Sequence, residues 1–128
     1  LTLLCEIIVP AKTKYLRPVL RTATAATKSY ISEVDLQLIL EEALVNVMNY
    51  SGSHDVEIRC FGESHEFIIE ITDCGKEFDI TAHTRKEELT VGGYGVKLIK
   101  EIMDDVSYQR RDGVNFLRMV KKYDSKSN

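Results

Sequence analysis

Glu42 and Asn46 stand four residues apart in a stretch that is otherwise largely apolar. On a helix that spacing puts a carboxylate and a carboxamide on one stripe, and Asn49 and Tyr50 continue close to it. Polar groups inside an apolar helix cost free energy unless something binds them. Asn46 offers a neutral oxygen of the kind that a hard cation such as magnesium accepts beside its waters and a substrate's phosphates. Glu42, one turn earlier, can take a proton from an attacking hydroxyl. The plainer reading is an amphipathic helix with Glu42 at its solvated edge. Two further clusters follow in the chain. Asp73-Cys74-Gly75 presents an acceptor beside a glycine, a pattern that also suits an ordinary turn. Gly92-Gly93-Tyr94-Gly95 lets backbone approach a ligand closely and opens a helix at Val96, whose free amides would suit phosphate, although such clusters also make plain turns. Arg85, Lys86 and Lys97 lie near this cluster as candidate phosphate contacts or as solvated cations.

The elements that must position these residues follow from periodicity. Leu3 to Val9 predicts a strand stopped by Pro10, and the alanine- and threonine-rich run from about Lys14 to Tyr30 predicts a helix. Ser32-Glu33-Val34-Asp35 carries a hydroxyl and an acid at the capping spacing, so the helix with Glu42 starts there. It is expected to run to about Tyr50, with Gly52 in the left-handed geometry that closes a helix. Val56, Ile58 and Cys60 alternate with Glu57 and Arg59, and a turn at Gly62 to His65 leads to the denser apolar strand Phe67 to Thr72, an inner strand covered by helices. Residues 76–90 are polar and weakly periodic, and read as a mobile lid between the two glycine-bearing motifs. A helix with Val96, Leu98, Ile99, Ile102 and Met103 toward the core follows. Strands on either side of a turn at Asp112-Gly113 complete the chain. The expectation is an α+β domain over residues 1–123, a two-layer sandwich of a mostly antiparallel mixed sheet with helices on one face, and a disordered tail at 124–128.

The order of the three clusters resembles the nucleotide site of the GHKL ATPases, the superfamily of histidine kinases, type II topoisomerases and certain chaperones. The phrases Glu42-Ala43-Leu44-Val45-Asn46, Asp73-Cys74-Gly75-Lys76-Glu77-Phe78-Asp79 and Gly93-Tyr94-Gly95-Val96-Lys97-Leu98-Ile99 are similar to its small anti-sigma-factor serine kinases. So is Met103-Asp104-Asp105-Val106-Ser107-Tyr108 with Gly113-x-Asn115-x-Leu117. The resemblance covers the chain to about Lys122. It implies the Bergerat-type ATP-binding fold, ATP and magnesium as ligands, Glu42 as catalytic base, Asn46 on the metal, and Asp73 reading the exocyclic amine of adenine. The nucleotide contacts it implies fall on Asn46, Asn49, Asp73, Gly75, Gly92, Gly93, Tyr94, Gly95 and Val96. It further implies a serine/threonine-protein kinase that acts as an anti-sigma factor by phosphorylating an antagonist protein, with sigma factor and antagonist as partners, and a homodimer. The sequence departs from the family pattern at Glu77, where a second glycine is common, and at Tyr50, where histidine is common. Those departures keep open a non-catalytic, nucleotide-gated module that sequesters a regulatory partner. A two-component histidine kinase would need a further helical domain bearing the phosphorylated histidine, and His54, His65 and His83 all fall in loops or turns.

Bulk properties narrow the partners. The 128 residues suit one domain, and an apolar fraction of 44% suffices for one core. A formal charge of −3 and an isoelectric point near 5.6 give no attraction for phosphate backbones or anionic membranes. Cys5, Cys60 and Cys74 show no metal-ligand spacing, which fits a reduced, cytoplasmic setting. No apolar run has the length to span a bilayer, and the opening segment lacks a basic start followed by a small-residue cleavage site.

Overall fold

Residues 1–82 and 93–123 are described by a computed structural model. Strand β1 (Thr2–Pro10) leads through a short 3-10 turn, Thr13–Tyr15, into α1 (Leu16–Thr27). Pro18 falls in the first turn of α1, where its missing amide proton has no helical partner to lose. Helix α2 (Glu33–Asn46) is capped as its sequence predicts: Ser32 Oγ accepts from the amide of Asp35 at 3.1 Å. The helical path then widens into a π-type turn, Val47–Ser51, and stops at Gly52, whose φ of 73° is the left-handed geometry expected of it. Strands β2 (Asp55–Gly62) and β3 (Glu66–Asp73) form the anticipated hairpin, and α3 (Gly93–Ile102) precedes β4 (Asp105–Arg111) and β5 (Val114–Lys122). Asp112 and Gly113, at φ 52° and 80°, make the tight turn between the last two strands.

The five strands lie in the order β1-β2-β3-β5-β4. Every pairing is antiparallel, more uniform than the mixed sheet expected. Alternation then assigns the faces. Val56, Ile58 and Cys60 of β2, Phe67, Ile69 and Ile71 of β3, and Leu117 and Met119 of β5 point to the helices. They pack with Leu36, Ile39, Leu40, Ala43 and Leu44 of α2, which recur at three- and four-residue spacing. Full burial of a leucine or phenylalanine contributes roughly 1.5–3 kcal/mol, so this layer holds the sheet and α2 in a fixed relation. The opposite face carries Glu6, Arg59, Glu70 and Arg118, mutually opposed across four strands with alternating sign. Arg59 pairs with Glu6 at 3.7 Å and Arg118 with Glu70 at 3.5 Å.

Gly92, most of the expected lid and the tail at 124–128 lie outside the described residues. So do His83, Arg85 and Lys86.

Candidate functional site

Asn46 closes α2 on the core stripe, seven residues after Ile39, and is therefore carried inward by the same periodicity that buries the helix. It is 7% exposed. No described residue hydrogen-bonds to its carboxamide, whose polar atoms are not fully enclosed and so remain open to a ligand. Asp73 ends β3 on the helix-facing side and is buried too. The two residues line one small cavity with Ala43, Val47, Ser51, Ile71, Phe78, Ile80, Tyr108, Asn115 and Leu117.

The loop after β3 is drawn against the end of α2. Ser51 O accepts from the Lys76 amide at 2.7 Å, and Ser53 Oγ accepts from the Cys74 amide at 3.0 Å. Gly75 sits so close to Ser51 that a Cβ would meet the Ser51 carbonyl oxygen at 2.2 Å. Glycine at this position is thus a requirement of close approach. The π-type turn supplies the Ser51 carbonyl that makes the contact, in keeping with the frequent placement of such turns at functional sites.

Asp73 has its two carboxylate oxygens in different states. Oδ1 accepts from the Gly75 amide at 2.8 Å and from Asn115 Nδ2 at 3.0 Å. No described residue donates to Oδ2. Asn115 in turn donates to Lys76 O at 2.8 Å and to Gly75 O at 3.3 Å, while its Oδ1 accepts from Arg110 at 2.8 Å and from the Tyr108 hydroxyl. Sequence reasoning noticed Asn115 only as part of the closing Gly113-x-Asn115 phrase and missed this network. The signal available was its position two residues after a tight turn, which alternation places on the helix-facing side of β5.

The other expected residues are distributed less simply. Glu42 lies on α2 one turn before Asn46 and is half-buried, but it is not among the residues that line the cavity. Burial, and secondarily the charge of Glu41, holds its carboxyl above the ordinary value. Asn49 and Tyr50 are exposed on the widened turn, so the change from α to π spacing takes Asn49 off the stripe it was expected to extend. The backbone of Gly93, Tyr94, Gly95 and Val96 forms the first turn of α3, as predicted for a helix opened by glycines. Lys97 is exposed on the same helix.

The cavity is narrow, about 30 Å³, the room of roughly one or two water molecules. A purine would enter only by moving a wall. Phe78 and Ile80 form the wall best able to move, since they belong to the connection after β3 and to a single 3-10 turn, Ile80–Ala82. A much larger groove of about 450 Å³ runs between α1 and α2, lined by Arg17, Arg21, Lys28, Glu33, Gln37 and Glu41 among others. It contains none of the clustered motif residues, so volume is a poor guide to the site here. Chemically the smaller cavity is the better equipped: a carboxamide with no described partner and a half-engaged carboxylate face a slot whose other walls are largely apolar. Among the described residues no three acidic, cysteine or histidine side chains converge as a metal cage. The oxygen-bearing side chains that line the cavity are those of Asn46, Ser51, Asp73, Tyr108 and Asn115.

The chain as a whole resembles known proteins. The chain is 32% identical to the serine-protein kinase RsbW of Oceanobacillus iheyensis over 136 aligned residues, which cover 92% of this chain and 85% of that protein. It is 30% identical to the protein of the same name in Bacillus pumilus, covering 87% and 81%, and 31% identical to that of Listeria innocua, covering 73% and 68%. Residues 9–121, nearly the whole folded unit, match one family description. The chain belongs to the histidine kinase-like ATPase domain family.

Proposed function

We propose that this protein is an ATP-dependent serine/threonine-protein kinase that acts as an anti-sigma factor and phosphorylates an antagonist protein. The observation that carries the reading is the buried pair Asn46 and Asp73 on one cavity, each with unused hydrogen-bonding capacity, in a chain whose relatives are named serine-protein kinases. In this reading adenine lies between Ile71, Phe78 and Leu117 with its exocyclic amine on Asp73. The phosphates run toward the first turn of α3, where Gly93, Tyr94, Gly95 and Val96 offer backbone amides, with Gly92 just before them. Gly75 lets the loop after β3 close against Ser51, which lines the cavity.

Asn46 would hold magnesium through its carbonyl oxygen, and the ion would supply charge neutralisation on the phosphates. Glu42 accepts the proton of the partner's serine or threonine hydroxyl as that oxygen forms its bond to the γ-phosphorus and the bond to the β-phosphate oxygen breaks, leaving ADP. A carboxyl held above its ordinary value is the stronger base for this step. The sigma factor and the antagonist are the proposed partners, the homodimer the proposed assembly, and the cytoplasm the proposed location. No described helix is long and apolar enough to cross a membrane.

One observation favours a second reading. Glu42 is absent from the cavity lining, and a site that bound nucleotide without a positioned base would gate partner capture without chemistry. Phosphate transfer from labelled ATP to a cognate antagonist, in wild type and Glu42→Ala, decides between them. Transfer abolished by the substitution supports the kinase. Tight ATP binding and partner capture with no transfer in either protein would leave the gated module.

A further inference from the structure

We infer that Asn115, fixed in one orientation by Arg110 and Tyr108, sets the base preference of the site by occupying one oxygen of Asp73 and leaving the other as the sole acceptor. The inference rests on the reading that a nucleotide seats its base against Asp73.

A carboxamide in a buried site could be inverted, and here its surroundings forbid that. Arg110 has only protons to donate, and it lies 2.8 Å from Asn115 Oδ1, where the Tyr108 hydroxyl also donates. The other end of the amide faces three acceptors: Asp73 Oδ1, Gly75 O and Lys76 O. Inversion would set an oxygen against three oxygens and an amine against a guanidinium. Arg110 is also tied to the loop through Gly75 O at 3.0 Å, so strand β4 and the loop after β3 clamp the amide from both sides. Asn115 stands directly opposite Asp73 in the β3–β5 register and is itself 4% exposed, so it has no alternative partner in water.

The consequence lies in how many hydrogen bonds Asp73 can still accept. Oδ1 has both lone-pair directions engaged, by the Gly75 amide and by Asn115 Nδ2. A carboxylate with both oxygens free accepts the two parallel donors of a guanine edge, its ring N–H and its exocyclic amine. With Oδ1 filled, Asp73 can satisfy one donor only. Adenine, which brings a single exocyclic amine beside a ring nitrogen that accepts, loses nothing. Guanine would bury a donor without a partner, and such a donor is expensive to leave unmade. Asp73 therefore binds the base, and Asn115 is the positioning residue that makes the binding selective.

The test is the ratio of GTP to ATP dissociation constants, measured by titration calorimetry with magnesium, in wild type, Asn115→Leu and the double variant Arg110→Met/Tyr108→Phe. Asn115→Leu keeps the branched shape and removes the donor, and in the double variant Arg110 is exposed on β4 while Tyr108→Phe removes only a hydroxyl. We expect wild type to prefer ATP by tenfold or more, about the worth of one hydrogen bond to a charged group, and the ratio to fall by about tenfold in Asn115→Leu and by less in the double variant. A residue that merely braced the loop would weaken both nucleotides together and leave the ratio unmoved, and that result overturns the inference while ATP binding stands. Should Asn115→Leu fail to fold, an unmoved ratio in the double variant is sufficient to reject it. Failure of wild type to bind either nucleotide removes the underlying reading instead.

Discussion

A side chain at position 75 would place its Cβ 2.2 Å from the carbonyl oxygen of Ser51, so the loop after β3 and the turn after α2 meet backbone to backbone. Gly75→Ala must force them apart. The expected cost is about 1–3 kcal/mol of stability, the usual range for overpacking, together with weaker ATP binding as the cavity floor shifts. Chemical denaturation and calorimetric titration on the same variant check both. Unchanged affinity and an unchanged denaturation midpoint would show that the two loops yield without consequence.

Asn46 gives a prediction in which stability and binding move in opposite directions. Its carboxamide makes no hydrogen bond to a described residue, so Asn46→Leu breaks no bond within the fold and adds apolar surface beside Ala43 and Val47 in the cavity wall. The variant should be at least as stable as wild type toward heat, and the gain in ATP affinity on adding magnesium should shrink by roughly tenfold or more. Retention of the full magnesium dependence would rule out Asn46 as the metal ligand.

Glu42→Gln should lower phosphate transfer by about 10²–10⁴-fold and leave ATP affinity within a few fold, because general-base catalysis acts on the chemical step and contributes little to ground-state binding. Single-turnover transfer to a cognate antagonist, read beside equilibrium binding, separates the two quantities. Equal losses in both would assign Glu42 to binding.

The raised value of Glu42 also fixes a pH dependence and its sign. Burial, then Glu41, makes the folded protein hold this proton more tightly than the unfolded chain does. The associated stability is fully present below the ordinary value of 4.5 and is lost as pH rises through the folded value. Glu42→Gln should therefore compare more favourably with wild type above that window than below it, in denaturation midpoints measured at both ends. Transfer in wild type should rise with pH over the same window, since the base works only when deprotonated.

Leu44 is fully buried on α2 two residues before Asn46 and touches no part of the proposed chemistry. Leu44→Ala should cost about 2–5 kcal/mol in unfolding free energy, the span seen for large-to-small core changes. At temperatures where the variant is folded, its ratio of GTP to ATP affinity should match wild type. A changed ratio would mean that base preference reports general loosening.

Local signals carried the secondary structure well. Ser32 starts α2, Gly52 ends the helical path and Asp112-Gly113 turns the last hairpin, because each is decided by a few neighbouring residues and their φ and ψ preferences. The apolar density of Phe67 to Thr72 likewise marked β3 as an inner strand, and the burial of Asn46 followed from the helix period. What could not be read from the chain was non-local. Asn115 meets Asp73 across 42 positions of sequence, and only strand register brings them together. The widening of α2 into a π-type turn was equally invisible, and it is what exposes Asn49. The narrowness of the cavity depends on where Phe78 and Ile80 come to rest, which no spacing rule specifies.

The row of alternating charges on the uncovered side of the sheet gains meaning from what lies directly behind it. Glu70 faces Arg118 in the same pair of strands, and the same register, that set Asp73 against Asn115. A slip of β5 by two residues preserves which side each residue faces, yet it would carry Asn115 about 6.6 Å along the strand, at roughly 3.3 Å per residue, and out of reach of Asp73. It would also move Arg118 away from Glu70 and toward Thr72 or Ile68, so mispairing is penalised on the wet side as well as on the dry side. Ion pairs of this exposure add little to the depth of the folded state. Their use is as an alignment mark: they proofread strand placement for a recognition pair they never touch.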